Sequence, residues 1–442
     1  MAADRYDVLV VGARCAGAPL AALLARAGVR VALLERASFP SDTLSSHLFE
    51  ADALAFLDRL GVSEPLRATG APLVGRTDTR VEDLRLTLDL PLQPGDIGGM
   101  ASVRRHLLDP LLAHAAAEAG AEVRTETAVT ALLRDGERVT GVRIASEQRE
   151  AELHARLVVG ADGRNSTVAK LCGARRYNLT PNRRLLYWAF FENAQMGAEP
   201  TFLSHRWEER FILGIPSDSG LYQVLIWPEM AELESFRADP AAAFLAHART
   251  CEPIAQALDG ARLLGKVLGA VRWEGFFREA AGPGWVLSGD AGHFKSPSPG
   301  RGIGDAFLQA DSLAAAITGA LGGSERALDA AMTRWGRWRD REFAEHYWLA
   351  YDLEEAGSVP PVLVEILRGL QRQGKAWQFF DVLNHRIRPS RLLTPPRVIG
   401  ATGRLLAGST VDRRALLGEL RALGMQDLGR RLRNRRPLYA AA

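Results

Sequence analysis

Three groups of residues in this 442-residue chain have the types and spacing needed to hold a nucleotide. The first group is the loop GARCAG, from Gly12 to Gly17, which follows an apolar run and precedes a segment rich in alanine and leucine. Glycines here permit a tight turn and close helix packing, and the start of the helix then faces a pyrophosphate. Glu35 ends the next apolar run, where a carboxylate accepts hydrogen bonds from a ribose 2′-hydroxyl and repels a 2′-phosphate. This group predicts a site for the adenosine half of FAD or NAD.

Arg14 departs from the usual pattern of this loop, because it stands where the middle glycine of G-x-G-x-x-G belongs. The backbone approaches the phosphates closely at that position. A side chain fits there only if φ stays negative and the guanidinium points out of the turn, and we expect both of Arg14. The alternative is a β-α-β unit without a nucleotide, because a single glycine motif is weak support for a cofactor.

The other two groups each pair a glycine with an aspartate at the end of an apolar run. Asp162-Gly163 follows the run that begins at Arg156, and Gly289-Asp290 follows a run over residues 285–287. After Asp290 the chain reads AGHFKSPSPGRGIGDA and enters a long segment rich in alanine and leucine. A strand, a turn, a glycine loop and a helix in this order predict a second place for the polar groups of a cofactor. Alternatively, the two aspartates only cap their own turns.

The elements that must position these groups follow from hydrophobic periodicity. Asp7 to Val11 predicts a buried parallel strand, Gly17 to Ala27 a helix, and Val29 to Leu34 a second strand, which together form a β-α-β unit. Between Leu185 and Trp227, apolar residues alternate with period two and predict antiparallel strands. After Ile317 the pattern predicts helices.

Composition and charge give the chain an ordinary globular character. The formal net charge is only +3, so nothing in the composition points to nucleic acid as a partner. The cysteines, Cys15, Cys172 and Cys251, form no C-x-x-C pair, and the histidines do not cluster at metal-ligand spacing, so we expect no disulfide framework and no metal. Asp4 and Asp7 near the N-terminus are unlike a signal peptide, and arginines interrupt the best candidate for a transmembrane segment. The sequence therefore predicts a soluble cytoplasmic protein.

The three groups, in this order and at this spacing, resemble the FAD-binding set of the aromatic hydroxylase flavoproteins, the single-component monooxygenases typified by p-hydroxybenzoate hydroxylase. The resemblance covers residues 1 to 330. It implies an α/β fold in which a Rossmann-like FAD-binding domain is interleaved with an antiparallel-sheet substrate domain and followed by a helical C-terminal region. The implied limits are 1–72, 100–178 and 265–345 for the FAD-binding domain, 73–99 and 179–264 for the substrate domain, and 346–442 for the C-terminal region.

The resemblance also implies the reaction. FAD is reduced by NAD(P)H, a transient reductant, and then reacts with O2; the resulting flavin C4a-hydroperoxide hydroxylates or epoxidises a small aromatic or unsaturated substrate. Geranylgeranyl reductases use the same FAD set to saturate isoprenoid double bonds, and this alternative stays open. Flavin-dependent halogenases share the fold, but the chain keeps only the Ile215-Pro216 end of their W-x-W-x-I-P motif and has no lysine before Lys170. A non-catalytic flavin-binding protein is the alternative from a different class.

Residue roles are carried over position by position. Asp290 is expected to hydrogen-bond the ribityl chain, and Asp162 and Gly163 to lie near the pyrophosphate and the path of the nicotinamide. The resemblance assigns to the cofactor Gly12, Arg14, Gly17, Glu35, Arg36, Ser46, Arg105, Asp162, Gly163, Asp290, Pro297, Gly302 and Ile303.

The flavin ring is expected beside the loop that follows Asp290. There Pro297 lies over the isoalloxazine, and the N–H groups of Gly302 and Ile303, at a helix start, face its N1/C2 edge and stabilise negative charge. The catalytic residues are not assigned, and the candidates are His47, His293 and Pro297. For His293, a packing role is the plainer interpretation.

Several positions depart from the family pattern. Gly304 replaces the usual asparagine and Gln309 the usual aspartate of an Asp-Ala pair, while Ser45 stands where the prototype has a flavin-contacting arginine. Ser46 and His47 follow Ser45 and are expected near the ring. Arg105 matches the arginine or glutamine that touches the cofactor, although it could instead be a solvated residue at a helix start.

The predicted substrate sheet is rich in aromatic residues. Trp207 and Tyr222 are the preferred substrate contacts because they carry polar groups on large apolar side chains. In the C-terminal region, Leu416, Leu420 and Leu423 recur at helical spacing among arginines. We expect these leucines to pack on the protein and leave a solvated basic face; a membrane-surface or partner helix is the alternative.

Overall fold

The computed structural model describes residues 4–41, 43, 45–147, 150–408 and 412–440; the outer limits of the predicted domains, residues 1 and 442, lie outside them. The strands are β1 (Asp4–Val11), β2 (Val31–Leu34), β3 (Leu48–Phe49), β4 (Arg76–Val81), β5 (Leu84–Asp89), β6 (Ala101–Ser102), β7 (Glu122–Arg124), β8 (Ala128–Asp135), β9 (Arg138–Ala145), β10 (Glu150–Gly160), β11 (Arg176–Pro181), β12 (Leu186–Glu192), β13 (Thr201–Trp207), β14 (Arg210–Pro216), β15 (Tyr222–Ile226), β16 (Arg262–Ala270), β17 (Glu274–Arg278), β18 (Ala281–Gly282), β19 (Trp285–Leu287) and β20 (His293–Phe294). The helices are α1 (Gly17–Arg26), α2 (Ala51–Arg59), α3 (Ser63–Ala68), α4 (Arg105–Glu118), α5 (Thr167–Cys172), α6 (Leu233–Ala238), α7 (Pro240–Ala248), α8 (Glu252–Ala257), α9 (Gly302–Leu321), α10 (Glu325–Asp352), α11 (Pro361–Arg372), α12 (Trp377–Leu383), α13 (Pro389–Leu392), α14 (Pro395–Ala407) and α15 (Arg413–Arg435).

The first layer is a mainly parallel sheet in the order β18-β19-β10-β1-β2-β7, and the predicted β-α-β unit forms part of it. Val11, the last residue of β1, pairs with Gly160 of β10, which in turn pairs with Leu287 of β19. The carboxyl ends of these three parallel strands therefore lie side by side, and the glycine loop and both glycine–aspartate turns leave the same edge of the sheet. One face of the sheet packs on α1, α4 and α9, and the other on α5 and the β8–β9 hairpin.

The second layer is a sheet in the order β16-β12-β15-β14-β13-β4-β5, whose pairs are antiparallel apart from the parallel pair β13–β4. Helices α6, α7 and α8 cover one of its faces. The whole of β16 belongs to this sheet, so the domain boundary predicted at residue 264 falls inside a strand. The interleaved α/β architecture predicted from the sequence is confirmed.

The C-terminal region is helical, as predicted, and α11, α12 and α14 pack on residues of β4 and β5. In α15, Leu416 is buried and Leu420 is partly buried against the same cluster. Leu423 was expected to pack but is exposed, because it lies beyond the turn of α15 that touches the cluster. No helix in the described part of the chain is long and apolar enough to cross a membrane.

Candidate functional site

A cleft of about 600 Å³ opens at the shared edge where β1, β10 and β19 end, a volume ordinary for a cofactor site. We call its two ends the Glu35 end, around the glycine loop, and the Pro297 end, around the loop between β20 and α9. Of the predicted cofactor residues, those that line it are Gly12, Arg14, Glu35, Arg36, Ser46, Arg105, Asp162, Gly163, Asp290, Pro297, Gly302 and Ile303.

At the Glu35 end the backbone is packed too tightly for side chains. Gly12 has φ +101°, and a Cβ there would lie 2.5 Å from the carbonyl oxygen of Ala161. A Cβ on Gly17 would lie 1.8 Å from the carbonyl oxygen of Gly12, so Gly17 serves helix packing and does not line the cleft. The buried Glu35 carboxylate accepts hydrogen bonds from the backbone N–H groups of Ala13 (2.9 Å) and Ala37 (3.1 Å). It thereby fixes the glycine loop and retains lone pairs for a ribose hydroxyl.

Arg14 adopts the geometry expected for the place of the missing glycine. Its φ is not positive, and its guanidinium leaves the turn to bind Asp109 (2.7 Å) and the Ser41 hydroxyl (2.9 Å). The loop therefore keeps its backbone accessible despite the long side chain.

Asp162 caps the start of α5. Its carboxylate accepts hydrogen bonds from the Ser166 hydroxyl and from the N–H groups of Thr167 (2.6 Å) and Val168 (3.2 Å). Burial raises the pKa of Asp162, and these hydrogen bonds oppose the rise. The capping role kept open for Asp162 is thus present, while Gly163, with φ +77°, lines the cleft beside it.

Asp290 differs from Asp162 because its side chain opens into the cleft and no described residue donates a hydrogen bond to its carboxylate. The enclosing protein raises the pKa of Asp290 to about 6, which the nearby Arg105 guanidinium opposes. The turn itself is held by Gln309, whose Oε1 accepts a hydrogen bond from the N–H of Gly289 (2.9 Å). This gives the departure at Gln309 a structural role and leaves the Asp290 carboxylate available to a ligand hydroxyl.

Two helix N-termini open onto the cleft without a capping side chain, that of α1 after Ala16 and that of α9 after Arg301. The first N–H groups of a helix have no partner within it and carry its positive partial charge. The departure at Gly304 also has a physical reason here. A Cβ on Gly304 would lie 2.8 Å from the guanidinium of Arg301, which is buried in contact with Glu50 and Asp52.

The Pro297 end of the cleft is partly apolar and joins both layers. Leu186 of β12, Ala270 at the end of β16, and Trp273 come from the second layer or its connection. Phe294 is the last residue of β20, just before the loop that carries Pro297. An apolar wall beside the predicted ring position suits a hydrophobic organic molecule.

Lys295 brings a buried cation to this end. Its Nζ binds the Asp305 carboxylate and lies 3.0 Å from Nε2 of His385, whose Nδ1 is 2.8 Å from Asp305 Oδ1. Burial lowers the pKa of Lys295 and holds the pKa of His385 well below its usual value, while Asp305 opposes both shifts. In a neutral His385 with its proton on Nδ1, Nε2 is free to accept from the Lys295 ammonium, and the N–H at Nδ1 faces the Asp305 carboxylate. The ammonium has three N–H donors, so one is left for the cleft that Lys295 lines.

Glu354, two residues after the end of α10, anchors the Pro297 loop. Its carboxylate accepts hydrogen bonds from the hydroxyls of Ser296 and Ser298 (3.0 Å) and from the N–H of Arg183 (3.3 Å). Glu354 is fully buried, and burial raises its pKa to about 7 against the effect of these bonds. The two residues flanking Pro297 are therefore fixed by one carboxyl group.

The catalytic candidates other than Pro297 are both packed histidines. His47 does not line the cleft; its Nδ1 accepts the N–H of Arg105 (3.2 Å), and burial lowers its pKa to about 3. His293 lines the cleft but packs between Phe277 and Phe343, with its ring tilted against both, and burial holds its pKa well below the usual value. Burial thus favours the neutral form of both imidazoles, in line with the packing interpretation of His293.

The structure does not bring Trp207 and Tyr222 to the cleft. Both are buried on the face of the second sheet that α6, α7 and α8 cover. Adjacent strand residues point to opposite faces, so the other face turns its residues toward the first layer. The sequence pattern identified the strands but gave no sign of which face was which.

Sequence reasoning missed Asp109, Lys295, Glu354 and His385, and it named Gln309 only as a departure from the family pattern. Lys295 stands in the motif already singled out, where an odd residue type was the only signal. Glu354 and His385 lie in the C-terminal region that the resemblance does not cover.

The donor set fits FAD. A long cleft offers uncapped helix N-termini for a pyrophosphate and a ring carbonyl, two carboxylates for ribose and ribityl hydroxyls, and an apolar end for a ring system. Within the ranges that the structure describes, no three His, Cys, Asp or Glu side chains are grouped as metal ligands.

Known proteins with similar sequences carry out different reactions. The chain is 36% identical over 171 residues to 6-methylpretetramide 4-monooxygenase of Streptomyces rimosus, which is 38% of this chain and 40% of that protein. It is 32% identical over 176 residues to digeranylgeranylglycerophospholipid reductase of Methanosarcina acetivorans, again 38% of this chain and 40% of that protein. Less than half the length of these relatives is therefore matched.

The fold has close counterparts among solved structures. The myxobacterial chondrochloren halogenase CndH superposes with a TM-score of 0.70 at 22% identity, covering 90% of this chain and 97% of that one. At this identity the likeness concerns the fold alone. Residues 5–334 match the family described as FAD binding domain, so the chain belongs to that family and its cofactor is FAD.

Proposed function

We propose that this protein is an FAD-dependent monooxygenase that uses NAD(P)H and O2 to hydroxylate or epoxidise a small aromatic or unsaturated substrate. The observation that carries the proposal is the Pro297 end of the cleft, where Leu186, Trp273 and Phe294 form an apolar wall beside the FAD-binding residues. The 6-methylpretetramide 4-monooxygenase relative supports it. When bound, FAD takes two electrons from NAD(P)H and transfers one atom of O2 to the substrate, while the other atom leaves as water.

The protein's own part is binding, orientation and exclusion of water. Glu35 and Asp290 accept hydrogen bonds from cofactor hydroxyls, and the N–H groups at the start of α9 stabilise negative charge on the ring. The apolar wall holds the substrate and keeps water from the reacting atoms. Asp305 and His385 orient the Lys295 ammonium, which offers one N–H to an oxygen atom of the substrate.

The test is the fate of labelled oxygen. The purified holoprotein is incubated under ¹⁸O2 with NADH or NADPH and a panel of phenols, hydroxynaphthalenes and hydroxyanthraquinones. The masses of the products are measured by mass spectrometry, and protein stripped of FAD is the control. We expect one ¹⁸O atom in the product and no product without O2. Absence of labelled product across the panel would contradict the proposal.

The alternative is an FAD-dependent reductase of isoprenoid double bonds, favoured by the similarity to digeranylgeranylglycerophospholipid reductase. In the same labelling experiment, this alternative predicts a reduced product and no incorporation of ¹⁸O. Geranylgeraniol would gain two hydrogen atoms without O2, and no label would enter any product.

We further propose a cytoplasmic location, supported by the cysteines, which are all free. The expected partners are a small-molecule substrate and O2, with no nucleic acid. We assign the basic face of α15 to solvent rather than to a membrane surface.

A further inference from the structure

One buried carboxylate, that of Asp109, binds both Arg14 of the glycine loop and Arg105 of α4. Asp109 lies on the second turn of α4 and is completely buried. It accepts a hydrogen bond from Arg14 Nη1 at 2.7 Å, and bonds from Nε (2.7 Å) and Nη2 (3.0 Å) of Arg105. The thiol of Cys15, next to Arg14 in the loop, lies 3.7 Å from the same carboxylate.

For Arg14 this contact decides where a long side chain goes. Arg14 replaces the glycine whose absent side chain normally lets the backbone approach the phosphates. With Asp109 as partner, the guanidinium is drawn toward α4 and the side chain is only 23% exposed. Without that partner, a flexible cation would be free to lie across the loop.

For Arg105 the same carboxylate sets the direction of the guanidinium. Arg105 is the first residue of α4 and lines the cleft near Asp290. A guanidinium has five N–H donors in a rigid fork, and Asp109 engages two of them bidentately. The geometry leaves the remaining donors of Arg105 for the cleft.

We propose that Asp109 is a positioning residue for FAD, which holds Arg14 out of the glycine loop and directs Arg105 into the cleft. If the Asp109 carboxylate is removed, a positioning role and the change in net charge predict opposite changes in the affinity for FAD. Two guanidiniums and one carboxylate carry a net charge of +1; removing the carboxylate raises it to +2, which by Coulomb attraction alone would tighten binding of the pyrophosphate. Positioning predicts that binding weakens.

The experiment measures the Kd of FAD by titrating flavin-free protein with FAD and following the FAD fluorescence. Three variants are compared: Asp109→Asn, the double variant Asp109→Asn with Arg14→Gly, and the control Glu118→Gln. Glu118 is an exposed acid on the same helix. We expect Asp109→Asn to weaken FAD binding at least about tenfold, the size of one charge-assisted hydrogen bond. The double variant should regain a large part of this loss, because glycine leaves no side chain to cross the loop. A merely structural role of Asp109 would give no such rescue.

Unchanged or tighter FAD binding in Asp109→Asn overturns the proposal, as does a double variant no better than the single one. Should Asp109→Asn fail to fold, Arg105→Lys takes its place. That variant keeps the charge but loses the bidentate fork, so we expect FAD binding about tenfold weaker, and unchanged binding overturns the proposal equally.

Discussion

Replacing Glu354 by glutamine should stabilise the protein at high pH and have little effect at low pH. The carboxyl group is fully buried, and its pKa is raised from the usual 4.5 to about 7. The folded state therefore holds a proton more firmly than the unfolded chain does. Above pH 7 the folded protein must keep a buried charge, and this cost disappears as the pH falls from 7 toward 4.5.

The size of the effect follows from the shift. A rise of the pKa from 4.5 to about 7 corresponds to about 1.4 kcal/mol for each pH unit. The free energy of unfolding should therefore increase in Glu354→Gln by at most about 3 kcal/mol at pH 8, and by less than about 1 kcal/mol at pH 5. Glutamine carries no charge and keeps an acceptor oxygen. Its amide can donate to the hydroxyls of Ser296 and Ser298, which accept as well as donate.

The measurement is the urea midpoint of unfolding at pH 5 and pH 8 for the natural protein and Glu354→Gln. We expect a clear rise of the midpoint at pH 8 and a much smaller change at pH 5. The neighbouring Glu355→Gln is the matched control, because Glu355 is more than half exposed in its ion pair with Arg183. An equal shift at both pH values, or a loss of stability at pH 8, would refute the assignment of a costly buried charge.

Other consequences are testable on the cleft itself. Asp290→Ala should purify with little FAD and Asp290→Asn with an intermediate amount, measured as flavin absorbance per chain; full flavin in the alanine variant would end the ribityl assignment. Glu35→Gln should weaken FAD binding about three- to tenfold, since one charged acceptor is lost; an unchanged Kd would argue against the ribose role. Lys295→Met should keep its FAD but lower kcat/KM for an oxygen-bearing aromatic substrate about tenfold or more. The exposed Lys266→Met is its control, and equal values for the two variants would remove Lys295 from the substrate site.

The parts of the fold that follow local rules could be read from the sequence. The glycines at 12 and 17, the apolar strands and the two glycine–aspartate turns each have a steric or electrostatic reason that acts over a few residues. Parallel strands then bring their carboxyl ends together, which is why separate motifs meet in one cleft. The course of Arg14 out of the turn was also predicted correctly, because a side chain pointing into the turn would block the backbone from the phosphates.

What the sequence could not supply depends on contacts between distant segments. Asp109 is an unremarkable acid in an amphipathic helix until the fold places it under Arg14, 95 positions away in the chain. Trp207 and Tyr222 were preferred as substrate contacts but lie on the face of the sheet away from the cleft, because alternation marks two faces without saying which one meets the cleft. His385 lies 90 positions from Lys295, and no local pattern links them.

The hydrogen bonds between the Pro297 loop and the C-terminal region limit which segments can be exchanged between related proteins. The family match ends at residue 334, yet Glu354 and His385, both beyond it, hold Ser296 and Lys295 in place. A chimaera that joins the FAD-binding part of this chain to the C-terminal part of a relative would therefore inherit an unanchored loop beside the predicted position of the flavin ring. Exchange of substrate preference between relatives should succeed only where both residues of each hydrogen-bonded pair are transferred together.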